Sequence, residues 1–492
     1  MATNVSPNAS GPSVQVSGSR PSASDRLSRE SVTIISTLLV ATFVVILNET
    51  IMNVALPRLM VELQVDAPTV QWLATGFMLT MAVVIPTTGF IMQRLSTRAV
   101  FLLAMGLFTS GTALAAVAPG FELLLLARII QAGGSAIMMP LLMTTILTLV
   151  PLAKRGVVMG NIGIAISVAP AMGPTVSGLI LEHFSWRFIF VFVLPVALVA
   201  LAIGAKYLTN VGEAAKTKLD LLSLVLTVPA FGGLVYGLSQ IGGGHGGQAG
   251  PGQVAITALV IGITGIAVFV LRQLRLQKAD APLLDLRVFT FRMFTVSALL
   301  MVVVMVALFG GVVLLPLYLQ EIRGLGSLET GLMMLPGGLV MGLLGPFVGR
   351  LFDKVGPLPL TITGSILMVL ALWQFSMLDA STSVAWIVTL HVGLSCALSL
   401  LFTPAFTTGL NPLPPDLYSH GSAIMGTTQQ VAGAAGTALL VSIFAVVSAT
   451  SGLIAGISAA FMTATVIALA AVVLSVMMRK TEGAAPGIRP IH

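Results

Sequence analysis

Fourteen long apolar stretches occupy nearly the whole chain, and they limit its fold more than any other feature. A helix needs about 20 apolar residues to cross the hydrocarbon core of a bilayer. Of the 492 residues 56% are hydrophobic and 8% are charged, whereas soluble domains carry about 25% charged residues. The sequence therefore predicts a polytopic all-α membrane protein. The predicted spans are 33–57, 69–92, 99–118, 121–149, 156–181, 187–207, 221–239, 253–273, 292–318, 328–350, 357–377, 384–409, 421–447 and 452–477.

The N-terminal residues 1–32 differ from everything after them, because they are rich in Ser, Pro, Asn and Gly and contain no apolar run. This composition is typical of a disordered tail. The first apolar segment comes late and is long enough to span, so a cleaved signal peptide is not expected. The single cysteine, Cys396, excludes an intramolecular disulfide and is no metal site by itself.

The basic residues of the loops predict the orientation of the chain. When alternate loops are assigned to opposite sides, 20 Lys and Arg residues fall on the side of the N-terminus and three on the other. Only Arg128 lies within a span. Lys and Arg accumulate in cytoplasmic loops, so we expect both termini in the cytoplasm. The same bias explains the net charge of +7 without a nucleic-acid partner.

Two short segments repeat one pattern, Pro-x-x-Gly-x-aliphatic-apolar-polar-basic-aliphatic. They are Pro86–Leu95 and Pro346–Val355, and each leaves an even-numbered span for a short loop on the predicted cytoplasmic side. The repeat makes the second and tenth spans equivalent and predicts a 6 + 2 + 6 arrangement; the alternative is chance similarity of loop chemistry. The predicted parts are an N-terminal half 33–207, linkers with two inserted helices 208–280, a C-terminal half 281–478 and a C-terminal tail 479–492.

Five motifs resemble those of a known family and follow one another in the same order as in that family. They lie at 47–57 in the first span, 127–134 in the fourth, 169–178 in the fifth, and at 185–190 and 282–286. With them, residues 33–478 resemble the fourteen-helix drug:proton antiporters of the major facilitator superfamily, the QacA/EmrB kind. The resemblance implies the major facilitator fold, with two six-helix halves related by an axis along the membrane normal.

Two positions depart from the usual family pattern. Asn48 stands where the first-span motif usually has Asp, and the carboxylate has moved one place to Glu49. Gln93 stands where the first cytoplasmic loop usually has Asp. Both features resemble the lincomycin-resistance subset, which indicates a variant subgroup and leaves the role of a first-span aspartate in doubt.

Glu49 is the only carboxylate deep within a predicted span, and such groups usually serve a pathway or a proton relay. It lies eight residues before Pro57, while Arg128 lies seven residues after Phe121. At about 1.5 Å per residue, both are about 10–12 Å below the outer boundary. We expect Glu49 and Arg128 to interact, directly or through water, and proton and substrate to compete for Glu49. The alternative is a structural clamp between helices.

Further site residues are predicted from polarity, small size and position. Small residues let helices approach closely and proline permits a bend, so the fifth span is a candidate gate; close packing without gating is the alternative. Charged inner ends of the second and tenth spans could hold one conformation, although the positive-inside bias alone also explains their basic residues. The predicted substrate-cavity residues are Asn48, Asn53, Gln71, Trp72, Gln131, Gln429 and Gln430. The predicted gating residues are Gly173, Pro174, Gln93, Arg94, Gly349, Asp353 and Lys354.

The predicted function is exchange of protons for amphiphilic drugs, neutral or cationic, across the bacterial cytoplasmic membrane. The proton gradient is the expected energy source, no cofactor or metal is expected, and the family resemblance implies a monomer in the bilayer. Export of an endogenous lipid, peptide or metabolite is the closest alternative. A membrane enzyme acting on lipid is disfavoured, because the five histidines are scattered and no long loop clusters Asp, His or Ser. A channel or sensor would need a conduction motif or a signalling domain.

Overall fold

The computed structural model describes residues 28–210, 220–242, 252–279 and 282–479. Most of both predicted tails, 1–27 and 480–492, and parts of the predicted linkers lie outside the described residues. Within the helices, the side chains of Asn53 and Pro174, two predicted site residues, also lie outside the description.

Across the described part of the chain, fourteen helices are long and apolar enough to cross a membrane, which confirms the predicted fold class. The elements are α1 Arg29–Glu62, α2 Ala67–Arg94, α3 Thr97–Ala116, α4 Phe121–Leu149, α5 Arg155–His183, α6 Arg187–Tyr207, α7 Leu221–Gly242, α8 Gln253–Gln277, α9 Arg292–Ile322, α10 Ser327–Val355, α11 Pro357–Phe375, α12 Val384–Leu410, α13 Tyr418–Ser451 and α14 Leu453–Val476.

Three of these helices contain a tighter or wider turn next to a proline. A 3₁₀ turn, Ile85–Thr87, lies within α2, and π turns lie within α7 at Val228–Gly232 and at the end of α9 at Tyr318–Ile322. The prolines are Pro86, Pro229 and Pro316. Proline lacks an N–H and clashes with the preceding turn, so the regular helical hydrogen-bond pattern shifts at these places.

Helix α1 is longer than its apolar stretch at both ends. It begins at Arg29, where the Ser28 side chain accepts a hydrogen bond from the N–H of Ser31 at 3.0 Å. It ends at Glu62, whose carboxylate pairs with Arg58 at 2.6 Å. Polar caps and ion pairs therefore continue the helix beyond the predicted 33–57, and residues 29–32, assigned to the tail, belong to the helix.

The two halves meet along several helices, and two pairs of them make close contacts. Helix α5 lies against α10, where Cβ atoms at Gly160 or Gly345 would overlap the backbone of the other. Helix α13 lies against the second part of α2, where Gly89 faces His420. Small residues thus allow close contact between the halves.

The inserted helices α7 and α8 pack on each other through Gly233 and Gly262. Helix α7 also lies against α2 and α13, with its Tyr236 ring stacked on Trp72 of α2 at 5.6 Å. The pair therefore lies at the seam that α2 and α13 form between the halves. Below, "basic end" means the end of the bundle that carries the loops rich in Lys and Arg, including residues 94–98 and 150–155.

Candidate functional site

The centre of the N-terminal half contains a buried arginine. Arg128 of α4 is 1% exposed. Its Nη1 donates to Asn48 Oδ1 at 3.2 Å and to Gln131 Oε1 at 2.6 Å, and its Nε makes a longer contact of 3.5 Å with the Leu73 carbonyl. The guanidinium lies 4.1 Å from the centre of the Phe77 ring. An arginine at this depth needs partners for its donors, and three helices supply them.

Asn48 and Gln131, predicted to line the substrate cavity, accept hydrogen bonds from Arg128. Both side chains are 0% exposed. Gln131 also donates from Nε2 to Thr112 Oγ1 at 2.7 Å, which extends the network to α3. Sequence position placed these residues at the right depth but gave no information on which neighbour each would bond.

Glu49 follows Asn48 in α1 and is half-buried. Its carboxylate is within electrostatic range of Arg128, yet the two make no ion pair within 4 Å. Among the side chains that the structure describes, Glu49 has no hydrogen-bond partner. Arg128 is therefore hydrogen-bonded to neutral groups, and the Glu49 carboxylate, which follows Asn48 in α1, is not bonded to it.

The family-like motif at 169–178 in the fifth span packs directly beside Glu49. Thr50 Oγ1 lies 3.4 Å from the Ala169 carbonyl of α5. A Cβ atom at Gly173 would overlap the Thr50 side chain. Gly173 thus lets α5 approach α1 at the level of the carboxylate, which is a contact within the N-terminal half.

At the basic end, the Asp353 carboxylate of α10 accepts hydrogen bonds from the first turn of α5. The N–H groups of Gly156 and Val157 donate to it at 3.0 and 3.1 Å. Gly349, one turn earlier in α10, lies against the Gly156 carbonyl. A helix N-terminus favours an anion, so this contact joins the C-terminal half to the N-terminal half. We call it the α5–α10 corner.

The equivalent contact between α2 and α13 is neutral. Gln93 donates from Nε2 to the Asp416 carbonyl at 3.2 Å, and Gly89 faces the His420 ring. The backbone N–H of Asp285, before α9, donates to His420 Nδ1 at 3.3 Å. We call this contact the α2–α13 corner. Arg94 and Lys354, predicted to take part in gating, are exposed.

Arg155, the first residue of α5, makes a third contact between the halves that the sequence did not reveal. Its guanidinium donates to Asn411 Oδ1 at 3.2 Å and to the Tyr418 hydroxyl at 3.1 Å. It also donates to the Leu147 and Val150 carbonyls at the end of α4. In the sequence Arg155 reads as one more basic loop residue, and its partners are more than 250 residues away.

A cavity lies between the halves, toward the basic end. It is lined mainly by Met143, Met159, Met341, Phe402 and Phe406, with hydroxyls from Ser399 and Thr403. Its walls come from α4, α5, α10 and α12. Its volume of about 20 Å³ holds no more than a water-sized molecule in this conformation. Methionine side chains adapt to varied apolar shapes, so the wall could rearrange if the halves separate.

The remaining predicted cavity residues lie elsewhere. Trp72 and Gln71 are exposed, and Trp72 faces the inserted helix α7 through its stack with Tyr236. Gln429 and Gln430 are half-buried on α13. Apolar surroundings do not reveal helix rotation, so the sequence did not indicate where these side chains point, and their role in a substrate cavity stays a prediction. Within the described residues, no cluster of three His, Cys, Asp or Glu side chains is arranged for a metal ion.

The fourteen spanning helices that the structure describes, in two halves with a buried Arg–Asn–Gln network in one of them, are the architecture of a membrane transporter, and the chain belongs to the Major Facilitator Superfamily. The sequence profile of that superfamily matches residues 38–437. The chain is thus a multi-pass membrane transporter and not an enzyme.

Alignments with named relatives cover most of this chain. It is 41% identical to the lincomycin resistance protein LmrB of Bacillus subtilis over 84% of this chain and 85% of that protein. It is 42% identical to the uncharacterized MFS-type transporter YcnB of the same organism, over 91% and 95%. It is 30% identical to a multidrug resistance protein B homolog of Mycobacterium tuberculosis, over 80% and 72%.

Among solved structures, the human organic anion transporter MFSD10 superposes with a TM-score of 0.64. The alignment covers 90% of this chain and 99% of that one at 16% sequence identity. This likeness supports the fold alone.

Proposed function

We propose that the protein exports amphiphilic drugs from bacteria in exchange for protons, by alternating access, with both termini in the cytoplasm. The relatives named for lincomycin and multidrug resistance support drug export. The observation that supports proton coupling is the position of Glu49, which lies half-buried within electrostatic range of an Arg128 whose hydrogen-bond partners are neutral.

The charges of this pair suggest how coupling works. When Glu49 is ionised, its charge offsets that of Arg128 across the low-dielectric interior. When Glu49 is protonated, Arg128 keeps only its neutral partners. A cationic substrate near Glu49 would replace the proton as the compensating charge, so proton and substrate exclude each other. A neutral amphiphile would compete through the shape of the cavity.

The conformation described here fits one stage of such a cycle. Hydrogen bonds between the halves, from Asp353, Gln93 and Arg155, lie at the basic end. If that end is cytoplasmic, the cytoplasmic entrance is closed and Glu49 would exchange its proton with the outside. Opening toward the cytoplasm requires these contacts to break.

The test is uphill transport in proteoliposomes with an imposed pH gradient. Radiolabelled lincomycin and fluorescent ethidium serve as probes. In Glu49→Gln we expect downhill probe flux to continue and gradient-driven accumulation to disappear, because the side chain can no longer release a proton. Glu49→Asp should keep part of the coupling.

Glu62→Gln is the matched control, since Glu62 is also on α1 but pairs with Arg58 at the helix end. It should transport like the wild type. Normal uphill accumulation in Glu49→Gln would refute the coupling role of Glu49. Failure of the wild type to move either probe would instead favour an endogenous lipid, peptide or metabolite as the cargo.

A further inference from the structure

A buried histidine in the C-terminal half occupies the place that Arg128 occupies in the N-terminal half. Arg128 lies seven residues after Phe121, the first residue of α4. His391 lies seven residues after Val384, the first residue of α12. In the 6 + 2 + 6 arrangement α12 is the counterpart of α4, so the two side chains lie at equivalent depth in equivalent helices.

The surroundings of the two residues correspond as well. Arg128 contacts α2 through the Leu73 carbonyl and the Phe77 ring. His391 contacts α10, the counterpart of α2, through a 3.2 Å contact between Nε2 and the Met334 carbonyl, and it packs on Gly337. The register that pairs Gln93 with Asp353 also pairs Phe77 with Gly337. The imidazole thus fills the space that the Phe77 ring takes in the other half.

The hydrogen bond of His391 determines its tautomer. A carbonyl oxygen accepts only, so Nε2 carries the proton and Nδ1 is left with a free lone pair. Nδ1 is buried and has no hydrogen-bond partner among the described residues, and the side chain is 9% exposed. Buried polar atoms without partners are rare and call for an explanation.

No charged side chain opposes or favours a proton on this ring. Helix α12 packs against α5, α9, α10, α11 and α13. Among the described residues of these helices, no ionisable side chain acts on His391, and the polar group that does so is the Met334 carbonyl. No described neighbour holds a proton on Nδ1, so water that reaches the ring is the available proton donor.

A line of hydroxyls leads from His391 to the cavity between the halves. Ser395, Ser399 and Thr403 follow it along α12 at intervals of four residues, and all three are buried. Ser399 and Thr403 line the cavity. Residues four apart lie one above another, about 6 Å apart along the helix. Water between them would complete the path, because a hydroxyl both accepts and donates a hydrogen bond.

We propose that Nδ1 of His391 is a second proton-binding site of the transporter, reached from the cavity along these hydroxyls. In the open cavity Nδ1 takes a proton from water and the ring becomes an imidazolium that donates from both nitrogens. The proton returns to water when the cavity faces the other side and a substrate binds there. This inference rests on the proposed proton coupling, and it makes the exchange two protons per cycle where Glu49 alone would give one.

The test counts protons released when a probe binds to purified protein in weakly buffered detergent solution. Ethidium or lincomycin is added, and the pH change is calibrated against added acid. We expect two protons per bound probe in the wild type, one in Glu49→Gln, one in His391→Gln, and none in the double variant. Gln retains an N–H that can donate to the Met334 carbonyl, so the fold should persist.

His183→Gln is the control, because His183 is exposed at the far end of α5 and contacts the Leu179 carbonyl. It should release as many protons as the wild type. Release of one proton by the wild type and none by Glu49→Gln would overturn the proposal for His391 and leave Glu49 coupling intact. No release by the wild type would refute the proposed coupling itself. A proton still released by the double variant would assign the second site to another group. Because Glu49→Gln leaves residue 391 unchanged, a count of zero in that variant overturns the proposal even if His391→Gln is unstable.

Discussion

The two corners at the basic end occupy equivalent positions in the repeat but are built from different chemistry. At the α5–α10 corner, the Asp353 carboxylate accepts from two backbone N–H groups. At the α2–α13 corner, the Gln93 amide donates to one carbonyl. Hydrogen bonds to charged groups contribute about 1.5–3 kcal/mol, against about 0.5–1.5 kcal/mol for neutral ones. The comparison teaches that, of the two corners, the α5–α10 corner contributes more to the closure of this end.

The packing of the corners differs in the same direction. Gly349 lies against the Gly156 carbonyl, so backbone meets backbone at the α5–α10 corner. At the α2–α13 corner, Gly89 faces the bulky His420 ring. A backbone contact tolerates no added side chain, whereas a ring can shift. The stronger corner is therefore also the one that is more sensitive to an added side chain.

The largest effect is expected from Gly160→Leu. The added side chain would overlap the backbone of Gly345, and overpacking costs about 1–3 kcal/mol. Closure of the basic end should become about tenfold or more less populated, and transport should fall in proportion. Gly106→Leu is the matched control, since open space surrounds Gly106. Equal transport by both variants would mean that α5 and α10 need not close.

Asp353→Asn should come next. It keeps the shape of the side chain but removes the charge that the N-terminus of α5 favours, which costs about 1–2 kcal/mol. The distance distribution between spin labels on the two halves should shift toward an open basic end. Glu329→Gln is the control, because Glu329 caps the opposite end of α10 through Gly326 N–H at 3.1 Å. An unchanged distribution in Asp353→Asn would show that the carboxylate does not hold the corner.

Gln93→Asp should have a smaller effect of the opposite sign. It places a carboxylate near the first turn of α13, as Asp353 lies near α5, and a charge at a helix N-terminus contributes about 0.3–1 kcal/mol. In the Asp353→Asn background it should recover part of the closed population in the same spin-label measurement. Gln93→Asn tests size without charge. Recovery by Asn equal to that by Asp would remove charge from the explanation.

The smallest effect on opening is expected at a charged pair that does not join the halves. Asp220, before α7, accepts from Arg272 of α8 at 2.7 and 2.8 Å, and this contact holds the pKa of Asp220 at about 2. A carboxylate whose pKa is lowered in the folded state stabilises the fold at pH values above its ordinary pKa near 4. That stabilisation is lost as the pH falls toward 2. Asp220→Asn should lower the Tm in detergent by the same amount from pH 5 to 8 without changing the spin-label distances. A decrease in Tm confined to pH 5 would contradict the depressed pKa.

The sequence predicted the parts of this structure that depend on local composition. Fourteen spans follow from apolar length, and the equivalence of Gln93 and Asp353 follows from the repeat. Helix ends were less accurate, since caps such as Ser28 extend helices beyond the apolar run. The sequence also placed Glu49 and Arg128 at one depth, which the contact between Asn48 and Arg128 reflects; their role in coupling stays a prediction.

Contacts between distant residues were beyond the reach of the sequence. Helix rotation decides that Asn48 rather than Glu49 bonds Arg128, and that Trp72 faces α7. The Arg155 contacts with Asn411 and Tyr418 depend on how two halves dock. His391 is one of five histidines scattered along the sequence. Its spacing from the start of α12 equals that of Arg128 from the start of α4, and this spacing was the signal that could have singled it out.

The inserted pair also gives the bundle two unlike flanks. Helix α7 covers the seam of α2 and α13, with Tyr236 on Trp72, and α8 packs on the outside of α7. On the other flank α10 turns Leu343 and Phe347 outward, 64% and 62% exposed. A lipophilic compound in the bilayer therefore meets the inserted helices on one flank and the contact between α5 and α10 on the other. The two flanks would not be equivalent for entry from the lipid.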